Sequence, residues 1–387
     1  MKEIYFWSPC LDKVGTYKST INSTISLSKY SKNKFSIKLI NSCGEWDQEK
    51  EKLNQYNVEL VDLGYKYFKF LPKKGFLKSR ASYFIIFLLS IIPLLRILIK
   101  KKPDFLIAHL LTSLPLILKK IFNFKSNLIL RISGYPKLNF IRKTIWKLVS
   151  KKLFGILCPS EDLKNQLINS KIFEIEKLMF IPDPIIEVKK FSIFCNRTKF
   201  KDIEQMKKKF FVSAGRLTKQ KNFSYLILEF HEFLKENNDN FNLLIFGDGE
   251  EKEKLNSLII KLNLEKKIFL MGYSDELFSY MKKAEAFILS SLWEDPGFVL
   301  IESAMNNLFI ISSDCKNGPR EFLSNGLGGI LYKTGKKDEL KKSLNKFLSY
   351  KKIDKFNQKL NAKKNCNKYT LYKHYTLFKK FLLKLNT

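Results

Sequence analysis

The second half of the chain alternates short apolar runs with longer amphipathic stretches, and this alternation constrains the fold more than any other feature. Short apolar runs between turn residues predict buried strands, whereas longer stretches with helical periodicity predict helices. The predicted strands are Phe210–Ala214, Asn242–Phe246, Ile268–Met271, Ala286–Leu289 and Phe309–Ser312. The predicted helices between them are Phe223–Glu236, Glu250–Leu262, Asp275–Ala284 and Phe298–Asn306. This order predicts a parallel sheet covered by helices on both faces.

The first half shows the same rhythm less clearly. Predicted strands are Glu3–Trp7, Phe35–Ile40, Asp104–Ala108, Leu128–Ile132 and Gly155–Cys158. A helix is predicted over Thr16–Ser28, and Ser160 has the sequence context of the N-cap of another. The pattern breaks in a lysine-rich stretch after Pro184. We therefore predict an α/β protein with two Rossmann-like, doubly wound domains facing a cleft. The expected boundaries are a first domain at 1–187, a linker at 188–209, a second domain at 210–365 and a C-terminal helical segment at 366–387.

The chain carries a formal net charge of +33 over 387 residues, which indicates an anionic partner. Lysine outnumbers arginine 63 to 7, as AT-biased codon usage would also produce. Reading of bases and bidentate binding of phosphates favour arginine. We therefore expect a membrane surface rather than nucleic acid as the partner.

Ala81–Ile99 is apolar almost all round and has lysines on both sides. It is short and interrupted for a membrane span, which needs about 20 apolar residues. A buried helix and a helix lying in the bilayer interface remain equally good interpretations, ahead of a true span. The six cysteines are scattered and no signal peptide is read at the N-terminus, so a cytoplasmic location is expected.

The segment from Ser290 to Glu302 has the most specific pattern, because it follows a predicted strand and begins a predicted helix. The backbone amides from Gly297 through Phe298 and Val299 to Leu300 would form an anion site for a diphosphate. Glu302, about one turn inside the helix, could accept hydrogen bonds from a ribose. Glu294 precedes the helix, where a carboxylate could reach a donor sugar. An exposed acidic pair at an ordinary helix start is the simpler alternative.

Two further strands end at a glycine that would let a ligand approach the backbone. Gly215 precedes Arg216 and Lys221, two cations that could stabilise a departing diphosphate. Gly272 ends another strand, where a nucleobase could lie against the backbone. A solvent-exposed Lys221 is the competing interpretation, since lysine is so common here.

His109 follows the strand Asp104–Ala108 and should lie at the carboxyl edge of the first sheet. A structural histidine bonded at a strand end is the alternative to a substrate contact. No Asp-x-Asp sequence occurs in the chain, and such carboxylates commonly hold a divalent ion on a diphosphate. We therefore expect no bound metal.

Four sequence elements of the second half have a characteristic order and spacing. They are G-R-x4-K from Gly215, the turn Gly247-Asp248-Gly249, the strand end at Gly272 and E-x7-E from Glu294. With them, the chain resembles retaining GT-B glycosyltransferases of family 4, of the type that builds bacterial surface polysaccharides. The likeness covers nearly the whole chain and is most specific over 210–323. The resemblance departs at Asp295-Pro296-Gly297, where many members have Gly-Phe-Gly, and at Asn307, where they have glycine. The acceptor loop of the family is rich in glycine, whereas the corresponding loop here has one glycine, Gly15.

The resemblance implies that the second domain binds a nucleoside-diphosphate sugar and the first an acceptor, with the C-terminal helix returning to the first domain. Arg216 and Lys221 would hold the diphosphate, Glu302 the ribose and Glu294 the transferred sugar, while His109 would contact substrate. The implied reaction moves a hexose or N-acetylhexosamine, from UDP, to a glycan or polyprenyl-linked acceptor at the cytoplasmic face of the membrane. It would retain configuration without a cofactor or metal. A sugar-nucleotide epimerase, a polyanion- or membrane-binding protein without activity, and a catalytically silent transferase remain alternatives.

Overall fold

The protein is described by a computed structural model that covers residues 1–11, 15–72, 76–134, 136, 138–188, 209–237 and 240–384. The chain forms two compact units. The first unit comprises Met1–Ile185 together with Leu371–Thr387, and the second comprises Ile186–Thr370. The last helix therefore belongs to the first unit, although the whole second unit precedes it in sequence.

The first unit contains a seven-stranded parallel sheet in the order β3-β2-β1-β4-β5-β6-β7. Its strands are β1 Lys2–Trp7, β2 Phe35–Asn41, β3 Val58–Asp62, β4 Phe105–Ala108, β5 Asn127–Arg131, β6 Leu153–Cys158 and β7 Leu178–Phe180. Its helices are α1 Gly15–Tyr30, α2 Lys50–Asn54, α3 Phe76–Lys100, α4 Ser113–Phe122, α5 Phe140–Val149 and α6 Glu161–Asn169. Successive residues of β1 alternate between two cores, with Tyr5 and Trp7 on one face and Ile4 and Phe6 on the other. Both faces are buried, as an all-parallel sheet requires.

The second unit contains a six-stranded parallel sheet in the order β10-β9-β8-β11-β12-β13. Its strands are β8 Lys209–Ala214, β9 Phe241–Phe246, β10 Ile268–Gly272, β11 Ala286–Leu289, β12 Phe309–Ser313 and β13 Ile330–Tyr332. Its helices are α7 Phe223–Glu236, α8 Lys252–Lys261, α9 Leu277–Lys283, α10 Phe298–Met305, α11 Pro319–Phe322, α12 Glu339–Ser349 and α13 Lys352–Asn365. The strand order reverses between β8 and β11, which in such sheets is where ligands bind.

The predicted α/β class with two doubly wound sheets is confirmed, and most predicted elements lie within two residues of the observed ones. Ser160 is an N-cap, as predicted, and its hydroxyl accepts from the amide of Leu163 at 3.2 Å. Asn307 adopts the left-handed conformation expected of a glycine substitute, with φ +59°. The sequence analysis missed β3, β7 and β13, which are short or polar. The loop before α1, in which Gly15 is the single glycine, includes residues 12–14, which lie outside the described residues.

The apolar segment Ala81–Ile99 lies within α3, a helix of 25 residues. Its inward positions are Ser82, Ile86, Ser90, Leu94 and Leu98, all buried. Its outward face is exposed, so it is not the fully buried helix that was one of the two leading interpretations. Within the described part of the chain, this is the one helix long and apolar enough to cross a membrane.

The final helix, α14 Leu371–Lys384, packs on α1 in the first unit. The Ser26 hydroxyl donates to the Leu371 carbonyl at 2.5 Å. His374 Nδ1 lies 2.8 Å from the Pro182 carbonyl and must donate to it, so Nε2 accepts from the Ser23 hydroxyl at 2.8 Å. The apolar side of α14, including Phe378 and Phe381, completes one of the two cores of this unit.

Candidate functional site

The loops after β8 and β11 lie side by side at the carboxyl edge of the second sheet and are joined by hydrogen bonds. The Leu292 amide donates to the Gln220 carbonyl at 2.8 Å, and the Gln220 side-chain amide donates to the Trp293 carbonyl at 2.9 Å. The Ser290 hydroxyl donates to the Lys221 carbonyl at 2.7 Å. Two motifs about 70 residues apart in sequence therefore form one rigid surface.

Lys221 and Glu294 form an ion pair at this junction, with Nζ 2.5 Å from Oε1. The two side chains are 14% and 5% exposed. The Ser291 hydroxyl donates to the same oxygen at 2.5 Å. Both donors therefore hold Oε1, and no hydrogen bond to Oε2 is found among the residues that the structure covers. The sequence analysis assigned Lys221 and Glu294 to different parts of one donor, and the structure joins them directly.

Gly215 and Gly247 allow the strand ends to approach closely. A Cβ at Gly247, where φ is +135°, would lie 1.9 Å from the Gly215 carbonyl oxygen. A Cβ at Gly215 would lie 2.8 Å from Lys221 Cε. The Gly247 amide also donates to the Gly272 carbonyl at 2.8 Å. The glycines thus bring the backbone of three neighbouring strand ends close together, and a side chain at Gly215 would displace Lys221.

The helix α10 begins at Gly297, which caps it in the left-handed region with φ +91°. The amides of Leu300 and Ile301 donate to the Gly297 carbonyl at 3.1 and 3.3 Å. Leu300, which the sequence analysis included in the anion site, therefore has its amide engaged. The described hydrogen bonds include no backbone acceptor for the amides of Phe298 and Val299. These two amides, beside Glu294, are the open donors of this helix end.

The remaining predicted residues of the second unit differ in exposure. Arg216 is exposed next to Gly215, and no salt bridge to it is found in the described ranges. Glu302 is buried within α10, with 8% exposure. Gly272 ends β10 with open space where a Cβ would lie. The structure therefore gathers Lys221, Glu294 and the Gly297 turn tightly, and leaves Arg216 free to reach a ligand.

The sequence analysis missed Gln220, whose side chain joins the two loops, and Ser291, whose hydroxyl holds the Glu294 carboxylate. Both lie inside the motifs it quoted, but neither has a residue type that points to chemistry. It also missed Cys315, whose thiol pKa is raised to about 12 by burial and by the nearby Glu294 carboxylate. The sequence indicated these residues only as polar groups in a strand–loop–helix turn. Their hydrogen-bond partners can be assigned only from the positions of the side chains.

His109 lies at the carboxyl end of β4 in the first unit, where its amide donates to the Trp7 carbonyl at 2.9 Å. Nδ1 is 3.1 Å from the Thr20 hydroxyl, and Nε2 is 2.6 Å from the Ser133 hydroxyl. Thr20 donates its single proton to the Thr16 carbonyl at 3.0 Å. It must therefore accept from Nδ1–H, and Nε2 accepts from Ser133. The histidine presents a hydrogen-bond acceptor toward Ser133.

Burial, together with the nearby Arg131 guanidinium, lowers the pKa of His109 to about 3. The imidazole is therefore neutral at physiological pH. Burial alone would raise the pKa of Asp183, but its ion pair with Arg131 holds that pKa below the usual value. Ser19 also donates to this carboxylate. Arg131 and Asp183 thus form a charged pair beneath a neutral histidine.

A cavity of about 560 Å³ opens beside His109 within the first unit. Ser133, Asn139 and Arg142 contribute polar groups to it, and Tyr83 of α3 lines another wall. Its position at the ends of β4 and β5 fits a small polar ligand.

A search of the described ranges finds no group of three or more His, Cys, Asp or Glu side chains placed to hold a metal ion. The charges at the candidate site are those of Arg216, Lys221 and Glu294, together with the partial charge of the helix end.

Residues 196–367 match the family model described as glycosyl transferases group 1. An uncharacterized glycosyltransferase of Methanocaldococcus jannaschii is 33% identical over 59% of this chain and 60% of its own length. A Campylobacter jejuni enzyme is 30% identical over 62% of this chain and 65% of its own length. Its name is N-acetylgalactosamine-N,N'-diacetylbacillosaminyl-diphospho-undecaprenol 4-alpha-N-acetylgalactosaminyltransferase. The chain thus spans less than two thirds of either relative.

The whole fold is similar to solved glycosyltransferase structures. A glycosyltransferase from Rickettsia africae superposes with a TM-score of 0.75 at 16% identity, over 100% of this chain and 99% of that one. The apo lipopolysaccharide outer core galactosyltransferase WaaB gives a TM-score of 0.72 at 18% identity, over 99% of both chains. These structures support the fold, and the sequence matches support the family. Residues 196–367 thus match the glycosyl transferases group 1 family, and the chain has the GT-B fold of the solved glycosyltransferases to which it is similar.

Proposed function

We propose that the protein transfers a hexose or N-acetylhexosamine from a nucleoside-diphosphate sugar, UDP-linked, to a glycan or polyprenyl-linked acceptor in bacterial surface polysaccharide synthesis. The observation that carries the proposal is the Lys221–Glu294 ion pair beside the open amides of Phe298 and Val299, at the point where the strand order of the second sheet reverses. A cation, a carboxylate and an anion-binding helix end are the groups that a sugar diphosphate requires.

The names of related proteins support this class of substrates. The Campylobacter jejuni relative is named as a transferase acting on a diphospho-undecaprenol acceptor. An Escherichia coli relative, 29% identical over 46% of this chain, is named as a UDP-Gal galactosyltransferase acting on a diphosphoundecaprenol acceptor. Both names state a transfer, which favours this reaction over donor epimerisation. Such acceptors are anchored in a membrane, so the proposed location is its cytoplasmic face, as a peripheral protein.

The proposed donor site lies in the second unit. The amides of Phe298 and Val299, with Arg216 and Lys221, bind the diphosphate, and Glu302 binds the ribose. Gly215 and Gly272 let the nucleotide approach the backbone. Glu294 positions the transferred sugar through the carboxylate oxygen that Lys221 and Ser291 do not hold. No cofactor or metal ion takes part in this scheme.

In the proposed reaction, the bond between the anomeric carbon and the diphosphate breaks and its electron pair leaves with the diphosphate. Lys221, Arg216 and the α10 amides stabilise that charge. The acceptor oxygen bonds to the anomeric carbon on the same face, and its proton passes to the departing diphosphate. Configuration is therefore retained. Before the donor binds, the Glu294 carboxylate pairs with Lys221 and holds its ammonium group in position. The diphosphate then competes with Glu294 for that ammonium group.

In the first unit, the proposed acceptor site is the cavity beside His109. The neutral imidazole of His109 and the Ser133 hydroxyl contact the substrate. Nε2 of His109 accepts a hydrogen bond, and the Ser133 hydroxyl can turn from Nε2 toward the substrate. A cationic imidazole would instead repel Arg131 below it. The depressed pKa of His109 keeps the ring uncharged throughout the physiological range.

The test is a panel of nucleotide sugars screened for a shift in melting temperature, followed by transfer to extracted polyprenyl-linked lipids. Ligand at about 100 times Kd should stabilise the native state by about 2.7 kcal/mol. We expect UDP and one UDP-sugar to raise the melting temperature. We also expect product to form only when acceptor is added. Turnover of donor without acceptor would indicate an epimerase. The absence of any shift with every nucleotide sugar would refute the proposal.

A further inference from the structure

The outward face of α3 is apolar, although it is exposed. Phe84 is 62% exposed, Leu88 is 49% exposed and Ile92 is 67% exposed. The inward face includes Ser82 and Ser90, both fully buried. Over 81–95 every exposed residue is apolar, whereas two of the residues that face the core are serines; the exposed charges of α3, such as Arg96, lie outside this stretch. A surface helix of a water-soluble protein normally has polar residues toward solvent and apolar residues toward the core. Contact of this face with water is therefore unfavourable.

The exposed apolar surface continues onto the two neighbouring helices. The helix α4 packs against both α3 and α5. Phe140 at the start of α5 is 85% exposed, and Ile141 beside it is 67% exposed. We define the docking face by the exposed large apolar residues of these three helices: Phe84, Ile85, Leu88, Leu89, Ile92, Ile99, Ile121, Phe122, Phe140, Ile141 and Leu148. Exposed apolar groups of this number on adjacent elements mark an interaction surface.

The segment that carries the docking face is also strongly basic. Between Leu63 and Lys152 the sequence has twenty Lys and Arg residues and one acidic residue, Asp104. The backbone amide of Glu3 donates a hydrogen bond to the Asp104 carboxylate at 2.7 Å. Exposed lysines lie at both the end of α3 and the end of α5, at 100–102 and 151–152. Lys119 and Arg131 are buried, but the exposed lysines near the helix ends favour an occupant that offers both apolar groups and negative charges.

We infer that the docking face binds the surface of an anionic lipid bilayer, with α3 lying in the interface rather than crossing it. Apolar side chains inserted at the acyl boundary, together with lysines at the headgroups, are the features of an interfacial helix. A span is disfavoured because Leu94 and Leu98 tie α3 to the core of the first unit. A second copy of the chain is disfavoured because it would bring two strongly basic segments together.

The docking face borders the cavity beside His109. Tyr83 of α3 and both Ile141 and Arg142 of α5 line that cavity. A bilayer on this face would bring lipid headgroups to the cavity mouth. The inference rests on the proposed function only for the source of the acceptor, since the binding of vesicles needs no transfer activity.

The experiment measures sedimentation of the full-length protein with vesicles of phosphatidylcholine alone or mixed with phosphatidylglycerol. The test variant is Leu88→Glu/Ile92→Glu. The matched control is Leu228→Glu/Ile260→Glu, which changes two apolar residues of the second unit that are 46% and 55% exposed. We expect the test variant to lose about 100-fold in partitioning, because two inserted apolar side chains are lost. The control should bind like the wild type.

A second variant, Lys100→Gln/Lys101→Gln/Lys102→Gln, isolates the charge. It should lose at least about tenfold on phosphatidylglycerol vesicles and little on pure phosphatidylcholine. Circular dichroism melting of each variant confirms that it folds. Wild type that remains in solution with anionic vesicles, or a Leu88→Glu/Ile92→Glu protein that still binds them, would overturn the inference. So would a wild-type dimer that this variant dissociates, if vesicles do not capture the protein. Loss of UDP-dependent stabilisation with intact vesicle binding would instead count against the proposed function alone.

Discussion

Glu294 and Lys221 show how much of the site the sequence could predict at the scale of single residues. The residue types and the strand–loop–helix context were sufficient to predict that both belong to one ligand site, and the structure brings the two side chains together. Their ion pair could not be predicted, because it depends on how two loops far apart in sequence fold against each other. Gln220 and Ser291, which fix that geometry, have no distinctive sequence signal. The functional roles of all these residues stay predictions until variants are assayed.

Glu294→Gln should lower the rate of transfer by about 100-fold or more, since one preorganised electrostatic contact at a reacting centre has that value. Glutamine keeps the shape of the side chain but removes the charge that neutralises Lys221. UDP should therefore bind at least as tightly as in the wild type. Kinetics and calorimetry would measure the two effects separately. Lys221→Gln is the matched control and should weaken UDP binding, and full activity of Glu294→Gln would rule out its role.

Gly247→Ala should destabilise the second unit because the new Cβ would overlap the Gly215 carbonyl oxygen. We expect a loss of about 3 kcal/mol or more in the free energy of unfolding, above the cost of a positive φ alone. Gly272→Ala is the control, since its φ is also positive, at +68°, but no atom lies within 4 Å of the Cβ position. It should cost about 1–2 kcal/mol. Urea unfolding that gives equal losses for both would contradict the close approach.

At the scale of secondary structure, strands with long apolar runs were predictable and short edge strands were not. The strand β13 has three residues and β7 has three, too few to show a period. The strand β3, Val-Glu-Leu-Val-Asp, lies at the edge of its sheet, and two of its five residues are acidic. The length of α3 was underestimated, and its orientation could not be decided because almost every face is apolar. Only packing shows which side meets the core.

The packing of α14 should make stability depend on pH. Burial lowers the pKa of His374 to about 4 and that of His109 to about 3, below the unfolded value of 6.5. Above that value both states are neutral and the difference vanishes. Below it the unfolded chain takes up protons that the folded protein excludes. Stability should therefore fall as the pH drops from 7 to 5, by about 2 kcal/mol for each histidine.

Chemical unfolding at pH 7 and pH 5 tests this dependence. His374→Gln should be less stable at pH 7, because it loses the bonds to Ser23 and Pro182, but it should lose less on acidification. His231→Gln is the control, since His231 is partly exposed on α7. A pH dependence that His374→Gln leaves unchanged would contradict the prediction.

For the whole molecule, strand order and charge distribution differ in how far they could be predicted. The βαβ rhythm was sufficient for two parallel sheets, because right-handed crossovers leave few alternatives. The net charge and its concentration between Leu63 and Lys152 can be counted in the sequence, but the apolar face that accompanies it could be identified only from the fold. The division of the first unit into two segments separated by the second unit is a property of the entire chain.

Removal of α14 by ending the chain at Thr370 should affect the two units unequally. It takes away Leu371, Tyr375, Phe378, Phe381 and Leu382, all buried in a core of the first unit. Each such side chain contributes about 1.5–3 kcal/mol, and their sum approaches the whole stability of a domain. We expect the first unit to lose protection from proteolysis while UDP still stabilises the second. Equal protection of both units in the shortened and full chains would contradict this expectation.

The late position of α14 also affects how the protein is made. The ribosome delivers the first 185 residues early, but the groove between α1 and the segment at Ile181–Asp183 stays open until translation reaches His374. The second unit, although it begins later, has every strand it needs before that moment. We therefore expect nascent chains to complete the second unit first, since the first unit closes only after α14 has been synthesised.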